Sequence, residues 1–378
     1  MEFRDLKQQY KVLKPQIDTA VEEAMSSCQF ISGPQVRELE KKLAAFVGVK
    51  HCISCANGTD ALSLALMAWG IGAGDAVFVP DFTFFATGEV VAARGAVPVF
   101  VDVCEDSYNM DVSALERAIQ RVLEDGKLIP RVVIPVDLFG LPADFVKIRE
   151  IANKYGLRVL EDGAQGFGGK IGEQVACSFG EIATTSFFPA KPLGCYGDGG
   201  AIFTNDDETA ALLRSLCVHG KGSNKYDNVR IGVNSRLDSI QAAILSVKLK
   251  AFADYEVEQV NQAADWYTQR LKGVVPVPEI SNGSFSSWAQ YTIRLKDEAQ
   301  RNAVQAALKE QGIPTMVYYP KPMHEQEAFA GMPYLDNPCP VTQRLSKTVL
   351  SLPMHPYLTQ EDVDTVCAAL EKCLEGIE

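Results

Sequence analysis

The sequence lacks the long apolar runs and basic blocks that mark membrane-spanning and nucleic-acid-binding proteins. No uninterrupted apolar run approaches the roughly 20 residues needed to cross a bilayer, and the N-terminus has no apolar stretch of the kind found in signal peptides. Lys and Arg form no block longer than the pair Lys41 and Lys42, so the chain offers no basic footprint for a phosphate backbone. We therefore expect neither nucleic acid nor membrane as a partner, and neither secretion nor membrane insertion.

Cysteine is too scarce for a disulfide-stabilised scaffold, with 10 among 378 residues. The cysteines are scattered through apolar runs, as at Cys104 and Cys217, and this usage suits a reducing cytoplasm. Cys52 and Cys55 form a Cys-x-x-Cys pair, but a zinc site would need a second pair at similar spacing and the sequence has none. We expect no bound metal, and we interpret the pair as packing within a buried strand.

The overall charge is acidic, since 36 Lys and Arg oppose 48 Asp and Glu for a net charge of −12. With 22% charged and 47% hydrophobic residues the chain is typical of a folded, soluble protein. At this length one large domain with a smaller attached domain is expected. An anionic substrate would be opposed by the overall field, so the positive charge that receives it must be local.

Alternating strand and helix signals from His51 to Phe203 predict an α/β fold with a mostly parallel, buried sheet. The predicted strands are His51 to Ser54, Ala76 to Val79, Val97 to Val101, Val132 to Val136, Arg158 to Glu161 and Ala201 to Thr204. The predicted helices between them are Ala61 to Trp69, Val112 to Leu123 and Phe145 to Tyr155. Crossover helices between parallel strands imply that both faces of the sheet are covered.

The pattern changes after Asp238, where Ser239 to about Leu271 is nearly free of Gly and Pro and predicts one or two long helices that bridge two domains. The remainder predicts a small α+β domain. Its strands are Gln290 to Leu295 and Pro314 to Tyr318, and its helices lie near Asp297 to Gln311, Thr342 to Thr348 and Thr359 to Glu375. We expect a large cofactor-binding α/β domain at residues 1–245 and a small C-terminal α+β domain at residues 246–378.

The segment Thr185 to Gly200 holds the most informative residue, Lys191, in an apolar loop bounded by glycine. Desolvation in such a loop favours a neutral amine, which can form a Schiff base with a carbonyl cofactor. Taken alone, a lysine in this position is more often a solvated surface residue.

Asp162 changes that assessment, because it falls at the carboxyl end of a predicted buried strand, where sheet proteins place ligand-binding groups. A carboxylate there needs a cationic partner, and the protonated ring nitrogen of pyridoxal phosphate supplies one. The alternative is that Asp162 caps a helix beginning at Gly163.

Two further segments fit such a cofactor. Ala56 to Ala61 passes from a strand end through Gly58 into a helix, where free N–H groups and the helix dipole would hold a phosphate, although a plain helix cap is the alternative. Aromatics in Pro80 to Thr87 could stack on a planar ring, or could simply be core. Gly70 to Gly74 follows a helix and precedes a strand, the reverse of the Rossmann order, so we reject a dinucleotide loop.

Together these motifs resemble the DegT/StrS-type aminotransferases that act on nucleotide-linked keto sugars. The resembling stretches cover nearly the whole chain: Cys55 to Leu62, Pro80 to Thr87, Glu161 to Gln165, Ser186 to Gly200 and Asn228 to Asp238. The resemblance implies a type I pyridoxal phosphate (PLP)-dependent transferase fold like that of aspartate aminotransferase. It also implies a homodimer with shared active sites and L-glutamate as the amino donor.

The resemblance also implies a role for each matching residue, with Lys191 as the catalytic residue that bonds PLP covalently. Asp162 would pair with the ring nitrogen, Gln165 would contact the ring hydroxyl and Phe84 would stack on the ring. The phosphate would be held by Gly58, Thr59 and Ser186, and by Asn234 from the partner subunit. Arg236 would bind a substrate carboxylate, for which a guanidinium is well suited, or else form a surface ion pair with Asp238.

Within the family, Ser186 to Gly200 and Asn228 to Asp238 are most similar to aminotransferases that convert UDP-linked 3-keto-N-acetylglucosaminuronic acid to its 3-amino derivative. That activity would place the protein in surface polysaccharide (lipopolysaccharide O-antigen) biosynthesis. Tyr318 stands where this subgroup is expected to have His, and it would contact substrate. The alternatives are a 3- or 4-aminotransferase of another keto-deoxy sugar nucleotide, a regulatory protein, or a sugar dehydratase, in which His would replace the lysine at position 191.

Overall fold

The computed structural model describes residues 1–224 and 226–376. Within them a seven-stranded sheet has the order β1-β9-β8-β5-β4-β2-β3, and β9 runs antiparallel to both of its neighbours while the other pairs are parallel. Its strands are β1 (His51–Cys55), β2 (Asp75–Pro80), β3 (Val97–Val101), β4 (Ile129–Val133), β5 (Arg158–Asp162), β8 (Ile182–Ser186) and β9 (Gly200–Thr204). The predicted mostly parallel sheet is confirmed.

Two small sheets accompany the large one. A three-stranded sheet is formed by β6 (Lys170–Ile171), β7 (Gln174–Val175) and β10 (Ser284–Phe285), and a two-stranded sheet by β11 (Tyr291–Arg294) and β12 (Val349–Leu352).

The helices in the described residues are α1 (Leu6–Ser27), α2 (Pro34–Val47), α3 (Gly58–Ala68), α4 (Ala86–Ala93), α5 (Val112–Asp125), α6 (Phe145–Tyr155), α7 (Asp207–Leu216), α8 (Ser239–Ala251), α9 (Val257–Leu271), α10 (Glu298–Glu310), α11 (Pro340–Thr348) and α12 (Gln360–Glu375). Among the described residues, no helix is both long enough and apolar enough to span a membrane.

Local sequence signals explain why the helices begin and end where they do. Helix α6 begins after Asp144, whose side chain accepts the Lys147 N–H, and ends at Gly156, whose φ of 69° is accessible to glycine without strain. Helix α3 begins after Asn57, whose side chain accepts the Asp60 N–H. The prediction for α6 is confirmed at both ends.

Several predicted elements need correction. Pro314 to Tyr318 is not a strand, because it contributes only an isolated bridge between Met316 and Ser351, and β12 instead pairs with β11. Strand β4 lies three residues earlier than predicted at each end, at Ile129–Val133. Strand β8 was not predicted, since its residues, Ile, Ala, two Thr and Ser, show no clear alternation and give a weak strand signal.

The bridging region is one helical stretch, in which the π-helical turn Phe252–Glu256 joins α8 to α9. Helix α8 packs on α1 and α2, and its Leu249 lies in the same core cluster as Leu39 of α2. A separate core begins at Val260 and includes residues of α9, α10, α12, β11 and β12. The proposed domain boundary after residue 245 falls within α8, and the last two residues of the proposed small domain lie outside the described residues.

Candidate active site

The candidate site lies where the carboxyl ends of β5 and β8 meet the N-terminus of α3. Asp162 ends β5 and Ser186 ends the neighbouring strand β8, and the two strands pair in parallel. Gly58 opens α3 against Ser186. The sheet therefore brings together three segments that the sequence analysis selected independently.

Asp162 is buried, with 5% of its surface exposed. Its Oδ2 accepts the Thr87 hydroxyl at 2.9 Å, and its Oδ1 accepts the Ala164 N–H at 3.2 Å. Burial raises its pKa, whereas the two hydrogen bonds and the more distant Lys191 lower it. No Lys, Arg or His nitrogen of the described residues lies within 4 Å of its carboxylate. No helix follows Asp162, so the helix-cap alternative is wrong.

Lys191 is half-buried in the turn that follows β8, where its N–H donates to the carbonyl of Phe188 at 2.9 Å. Burial lowers the pKa of its amine, the nearby charge of Arg4 lowers it further, and Asp162 opposes both. The amine and the Asp162 carboxylate thus interact without forming an ion pair. This leaves room for a group that would engage both.

Gln165 is 3% exposed, and both the oxygen and the nitrogen of its side-chain amide make hydrogen bonds. Its Oε1 accepts the Phe139 N–H at 2.9 Å, and its Nε2 donates to the Tyr319 hydroxyl at 3.0 Å. The second N–H of Nε2 makes no hydrogen bond within the described residues. Gln165 can therefore donate one hydrogen bond to a ligand from a fixed position.

The phosphate cradle is formed by close approach of backbone to backbone. A Cβ on Gly58 would lie 2.7 Å from the Ser186 Cβ, and a Cβ on Gly200 would lie 2.5 Å from the Asn57 carbonyl carbon. The N–H groups of Gly58 and Thr59, at the first turn of α3, have no hydrogen-bond partner in the part of the chain that the structure describes. Two donors, the Ser186 hydroxyl and the helix dipole thus converge where an anion would bind.

Phe84 is 54% exposed, although it follows a buried strand and its neighbour Phe82 is only 1% exposed. Its ring centroid lies 6.4 Å from that of Tyr319. The core interpretation therefore holds for Phe82 and fails for Phe84, which presents a ring face beside the Gln165 contact.

Among the described residues, Asn234 and Arg236 make no hydrogen bond or ion pair with Lys191, Asp162 or Gln165. Both are exposed, on either side of the buried Ser235, which accepts the Ala56 N–H and donates to Asp60. Arg236 lines an open groove of about 900 Å³ with residues such as Lys221 and Arg230. No carboxylate oxygen of the described residues lies within 4 Å of Arg236, so the predicted alternative of an ion pair with Asp238 is wrong.

Tyr318 is half-buried at the edge of the site, with its ring in edge-to-face contact with Phe3 and Tyr319 at centroid distances of 6.2 and 5.7 Å. Its segment is tied to the end of β2, because His324 Nδ1 lies 2.6 Å from Asp81 Oδ2. Asp81, His324 and Cys339 are close enough to hold a metal, but that short His–Asp contact is a hydrogen bond. The absence of a bound metal stays a prediction.

Three residues of the site were missed by the sequence analysis. Thr87 binds Asp162 from α4, Tyr319 binds Gln165 from 154 residues away, and Arg4 donates from Nη2 to the Lys191 carbonyl at 2.8 Å. Thr87 lay within a selected segment, so its hydroxyl was an available signal. Arg4 and Tyr319 reach the site only through the tertiary fold, and no local pattern marks them.

The residues present fit PLP. Asp162 is a buried carboxylate with no cation within 4 Å, Lys191 is an amine with a lowered pKa, and Gly58 and Gly200 let the N-terminus of α3 pack closely against the end of β8 and the start of β9. Phe84 offers an exposed aromatic face. These are the groups that a protonated ring nitrogen, an aldehyde, a phosphate and a planar ring would need.

Comparison with protein families gives a match to the DegT/DnrJ/EryC1/StrS aminotransferase family over residues 11–371. The chain is 47% identical over 373 residues to UDP-2-acetamido-2-deoxy-3-oxo-D-glucuronate aminotransferase of Pseudomonas aeruginosa, covering 98% of this chain and 99% of that protein. It is 45% identical to a pleiotropic regulatory protein of Geobacillus stearothermophilus, covering 94% of each chain. It is 42% identical to UDP-N-acetyl-3-dehydro-alpha-D-glucosamine 3-aminotransferase of Acidithiobacillus ferrooxidans, covering 98% and 97%.

Solved structures give the same picture of the fold. A DegT/DnrJ/EryC1/StrS aminotransferase from Brucella abortus superposes with a TM-score of 0.96 at 50% identity, covering 98% of this chain and 99% of that one. NtdA from Bacillus subtilis, solved with bound cofactor PMP, superposes with a TM-score of 0.86 at 30% identity, covering 96% and 82%. The expected type I fold is confirmed.

Proposed function

The chain belongs to the DegT/DnrJ/EryC1/StrS aminotransferase family, and we propose that it transfers the amino group of L-glutamate to UDP-linked 2-acetamido-2-deoxy-3-keto-glucuronic acid. It is a PLP-dependent transaminase of nucleotide-linked keto sugars. The observation that carries this proposal is the pairing of a buried, cation-free Asp162 with the low-pKa amine of Lys191. The end-to-end similarity to the Pseudomonas aeruginosa enzyme supports the choice of sugar.

Five kinds of contact would hold the cofactor. Lys191 would bond it covalently, Asp162 would accept a hydrogen bond from its protonated ring nitrogen and Gln165 would donate to its ring hydroxyl. Phe84 would cover one face of its ring. The cradle of Gly58, Thr59 and Ser186 would bind its phosphate, with Asn234 of the partner subunit as a further contact. When bound, PLP supplies an electron sink for the carbon that gains or loses the amino group.

Lys191 would handle the protons. Burial and Arg4 lower the pKa of its amine, which favours the neutral form that would remove a proton from the donor carbon. In the second half-reaction the same amine, in its protonated form, would deliver a proton to the sugar carbon that gains the amino group. Glutamate leaves as 2-oxoglutarate before the sugar binds, so one pocket serves both substrates in turn.

The substrate carboxylate is the least constrained part of this proposal. The relative from Acidithiobacillus ferrooxidans is named for a neutral 3-keto sugar, so the neutral UDP-linked sugar is the second candidate, together with other 3- or 4-keto-deoxy sugar nucleotides. Arg236 and Tyr318 are the proposed substrate contacts. A uronate would require a cation within the pocket, because the net charge of −12 opposes its approach.

Two other functions are disfavoured by particular residues. A dehydratase on this fold would have His at position 191, where this chain has Lys. A purely regulatory role, suggested by the name of the Geobacillus stearothermophilus relative, does not account for a complete set of cofactor-contacting residue types.

We further propose a homodimer with shared sites, in the cytoplasm, acting in surface polysaccharide biosynthesis. The exposed Asn234 and Arg236 support sharing, since both side chains are available to a second chain. The ten cysteines are all free, eight of them buried and one, Cys104, half-buried, which fits a reducing compartment.

A half-reaction assay tests the function. The PLP-loaded enzyme is mixed with L-glutamate and the change in cofactor absorbance is followed, and the resulting amino form is then presented with keto sugar nucleotides. We expect the UDP-linked 3-keto uronate to restore the original spectrum fastest. Failure of glutamate to change the spectrum would exclude glutamate as the amino donor, while faster reaction of a neutral keto sugar would exclude only the uronate assignment.

A further inference from the structure

We propose that Arg4 binds the carboxylate of a substrate in the active site. The proposal rests on the function proposed above, which requires a dicarboxylate donor and a uronate acceptor. An acidic protein needs a local cation to receive such substrates. Arg4 would supply that cation from the N-terminal segment of the same chain that supplies Lys191.

Arg4 is fixed in place from several directions. Its Nη2 donates to the carbonyl oxygens of Lys191 and Pro192 at 2.8 and 3.3 Å. On one side of it the Phe3 carbonyl accepts the Met354 N–H at 3.1 Å, and on the other the Asp5 side chain caps α1. The guanidinium is therefore held beside the catalytic lysine before any substrate binds, which lowers the entropic cost of a contact.

The rest of the guanidinium is unpaired. Within the described residues Nε and Nη1 make no hydrogen bond, and no carboxylate oxygen lies within 4 Å of Arg4. These unpaired nitrogens are not among the fully buried polar atoms that lack a partner, so each keeps some exposed surface although burial lowers the pKa of Arg4 to about 10. A cation with free, accessible donors beside the reacting amine is an unoccupied position for an anion.

The neighbouring charges do not neutralise Arg4. Glu256 acts on it only from beyond ion-pair distance, and its Oε1 already accepts hydrogen bonds from Gln9 and Tyr357 at 2.9 and 2.5 Å. Lys248, 1% exposed, places its amine 4.7 Å from the centre of the Tyr196 ring, and burial together with the charge of Arg4 lowers its pKa to about 7. Arg4 is thus the local cation beside Lys191 in a protein of net charge −12.

Arg4 also adjoins Tyr318, the residue that the sequence singled out at the substrate end of the site. Phe3 contacts the Tyr318 ring at a centroid distance of 6.2 Å, and the tyrosine hydroxyl lies within the electrostatic range of Arg4. By contrast, Arg236 is exposed and makes no hydrogen bond or ion pair with Lys191, Asp162 or Gln165 of its own chain. Arg4 and Arg236 would therefore approach a substrate from different subunits.

Binding measurements on the PLP-loaded enzyme test the proposal without turnover. UDP-glucuronic acid and UDP-glucose differ only at the carboxylate, and calorimetry gives the dissociation constant of each for the native enzyme, Arg4→Gln and Arg4→Lys. We expect the native enzyme to prefer the uronate by about tenfold or more. Arg4→Gln should lose this preference with little change for UDP-glucose, and Arg4→Lys should keep part of it.

The glutamate half-reaction provides the second arm. If Arg4 serves the donor carboxylate, Arg4→Gln raises KM for glutamate by about tenfold while the preference for UDP-glucuronic acid persists. Arg121→Gln, which breaks an exposed ion pair with Asp336, is the matched control and should change neither arm.

The outcomes separate this proposal from the proposed function. In one alternative outcome, Arg4→Gln weakens the binding of both sugar nucleotides equally and changes only kcat in the glutamate half-reaction. That result would mean that Arg4 only fixes the turn that contains Lys191, and it would overturn the proposal. No change in any arm would overturn it as well. If the native enzyme shows no preference for UDP-glucuronic acid and does not turn over the uronate ketone, the proposed sugar is wrong. The KM for glutamate in Arg4→Gln then decides whether Arg4 binds a substrate carboxylate.

Discussion

The two parts of the candidate site differ in how they are built. Around Lys191, each proposed cofactor contact except Phe84 lies in the protein interior or at a packed helix end, and Asp162 and Gln165 are 5% and 3% exposed. The segment 218–238, described except for residue 225, carries more exposed side chains: Val229 and Ile231 are 54% and 88% exposed, and Asn234 and Arg236 are also exposed. We call these the lysine side and the outer segment.

The difference indicates which part of the candidate site a single chain can form without a partner. The lysine side has its residues oriented by buried hydrogen bonds, so it needs only the cofactor. The outer segment keeps its shape through a few bridges, such as Val218 with Asn234 and Lys221 with Asn228, and it exposes apolar side chains next to polar ones. Exposed apolar groups next to functional polar residues are typical of a surface that another chain covers.

The largest effect should come from removing the amine of the lysine side. Lys191→Ala should lower the rate of both half-reactions by about 10³-fold or more, because the same group bonds the cofactor and moves the proton. Borohydride reduction of the native enzyme followed by peptide mapping should label Lys191. The control Lys147→Ala removes an exposed amine paired with Asp144 and should leave both rates unchanged. A label on another lysine would contradict the assignment.

Mixed dimers test whether the outer segment completes the partner's site. Chains with Lys191→Ala, and chains with both Asn234→Ala and Arg236→Ala, should be nearly inactive as homodimers. A heterodimer isolated with two affinity tags contains one intact site of two, and should recover about half of the native activity.

The matched control for this experiment pairs Lys191→Ala chains with Asp162→Asn chains. Both changes fall on the lysine side, so neither site of that heterodimer is intact and no activity should return. Recovery of activity in this control, or no recovery in the first heterodimer, would contradict the assignment of Asn234 and Arg236 to the partner's site.

The sequence predicted the lysine side better than its surroundings. Lys191, Asp162 and the start of α3 were identifiable because glycine, capping and strand-end signals are local. Arg4 and Tyr319 were not, since their hydrogen-bond partners lie 187 and 154 residues away. Strand β8 was missed for a different reason: it is covered on both faces and shows no clear alternation, so its place between β5 and β9 emerges only from pairing.

The outer segment shows the reverse limitation. Asn234 and Arg236 were selected by resemblance, and neither burial nor hydrogen bonding within one chain assigns them a role. Pro314 to Tyr318 was predicted as a strand because it is apolar and bounded by proline and glycine. The backbone there instead follows the edge of the site, where Tyr318 and Tyr319 pack on each other and on Phe3 and Phe84.

A smaller effect tests how tightly the lysine side is packed. In Gly58→Ala the new Cβ would lie 2.7 Å from the Ser186 Cβ, so α3 and β8 must separate, at a cost of about 1 to 3 kcal/mol in stability. The gain in Tm on adding PLP should also shrink, because the same shift opens the phosphate cradle. In the control, Gly72→Ala, the Cβ meets only the Arg94 carbonyl oxygen at 3.6 Å. Equal behaviour of the two variants would contradict the close packing.

The smallest effect concerns two carboxyl groups directly behind Asp162. Asp137 and Glu161 are both 0% exposed. Glu161 Oε2 accepts the N–H groups of Phe179 and Gly180 at 2.6 and 3.2 Å, whereas Asp137 Oδ2 finds no N–H or O–H donor among the described residues. A proton held between the two carboxyls would satisfy that oxygen. Burial and the facing carboxyl raise the pKa of Asp137, and burial raises that of Glu161 to about 7.

This pair should make the folded protein less stable as pH rises. Because its pKa values are raised in the folded state, the folded chain binds more protons, so its contribution to stability is complete at acid pH and is lost as pH approaches 7 and above. In Asp137→Asn an amide N–H replaces the shared proton at every pH. The free energy of unfolding at pH 8 should then exceed that of the native protein by about 1 to 3 kcal/mol, with little difference at pH 5. Urea denaturation at both pH values measures this, and Glu22→Gln on the exposed face of α1 is the control that should change neither. Equal destabilisation of Asp137→Asn at both pH values would mean that the interior behind Asp162 uses an ionised carboxylate as an acceptor, and that no proton is shared there.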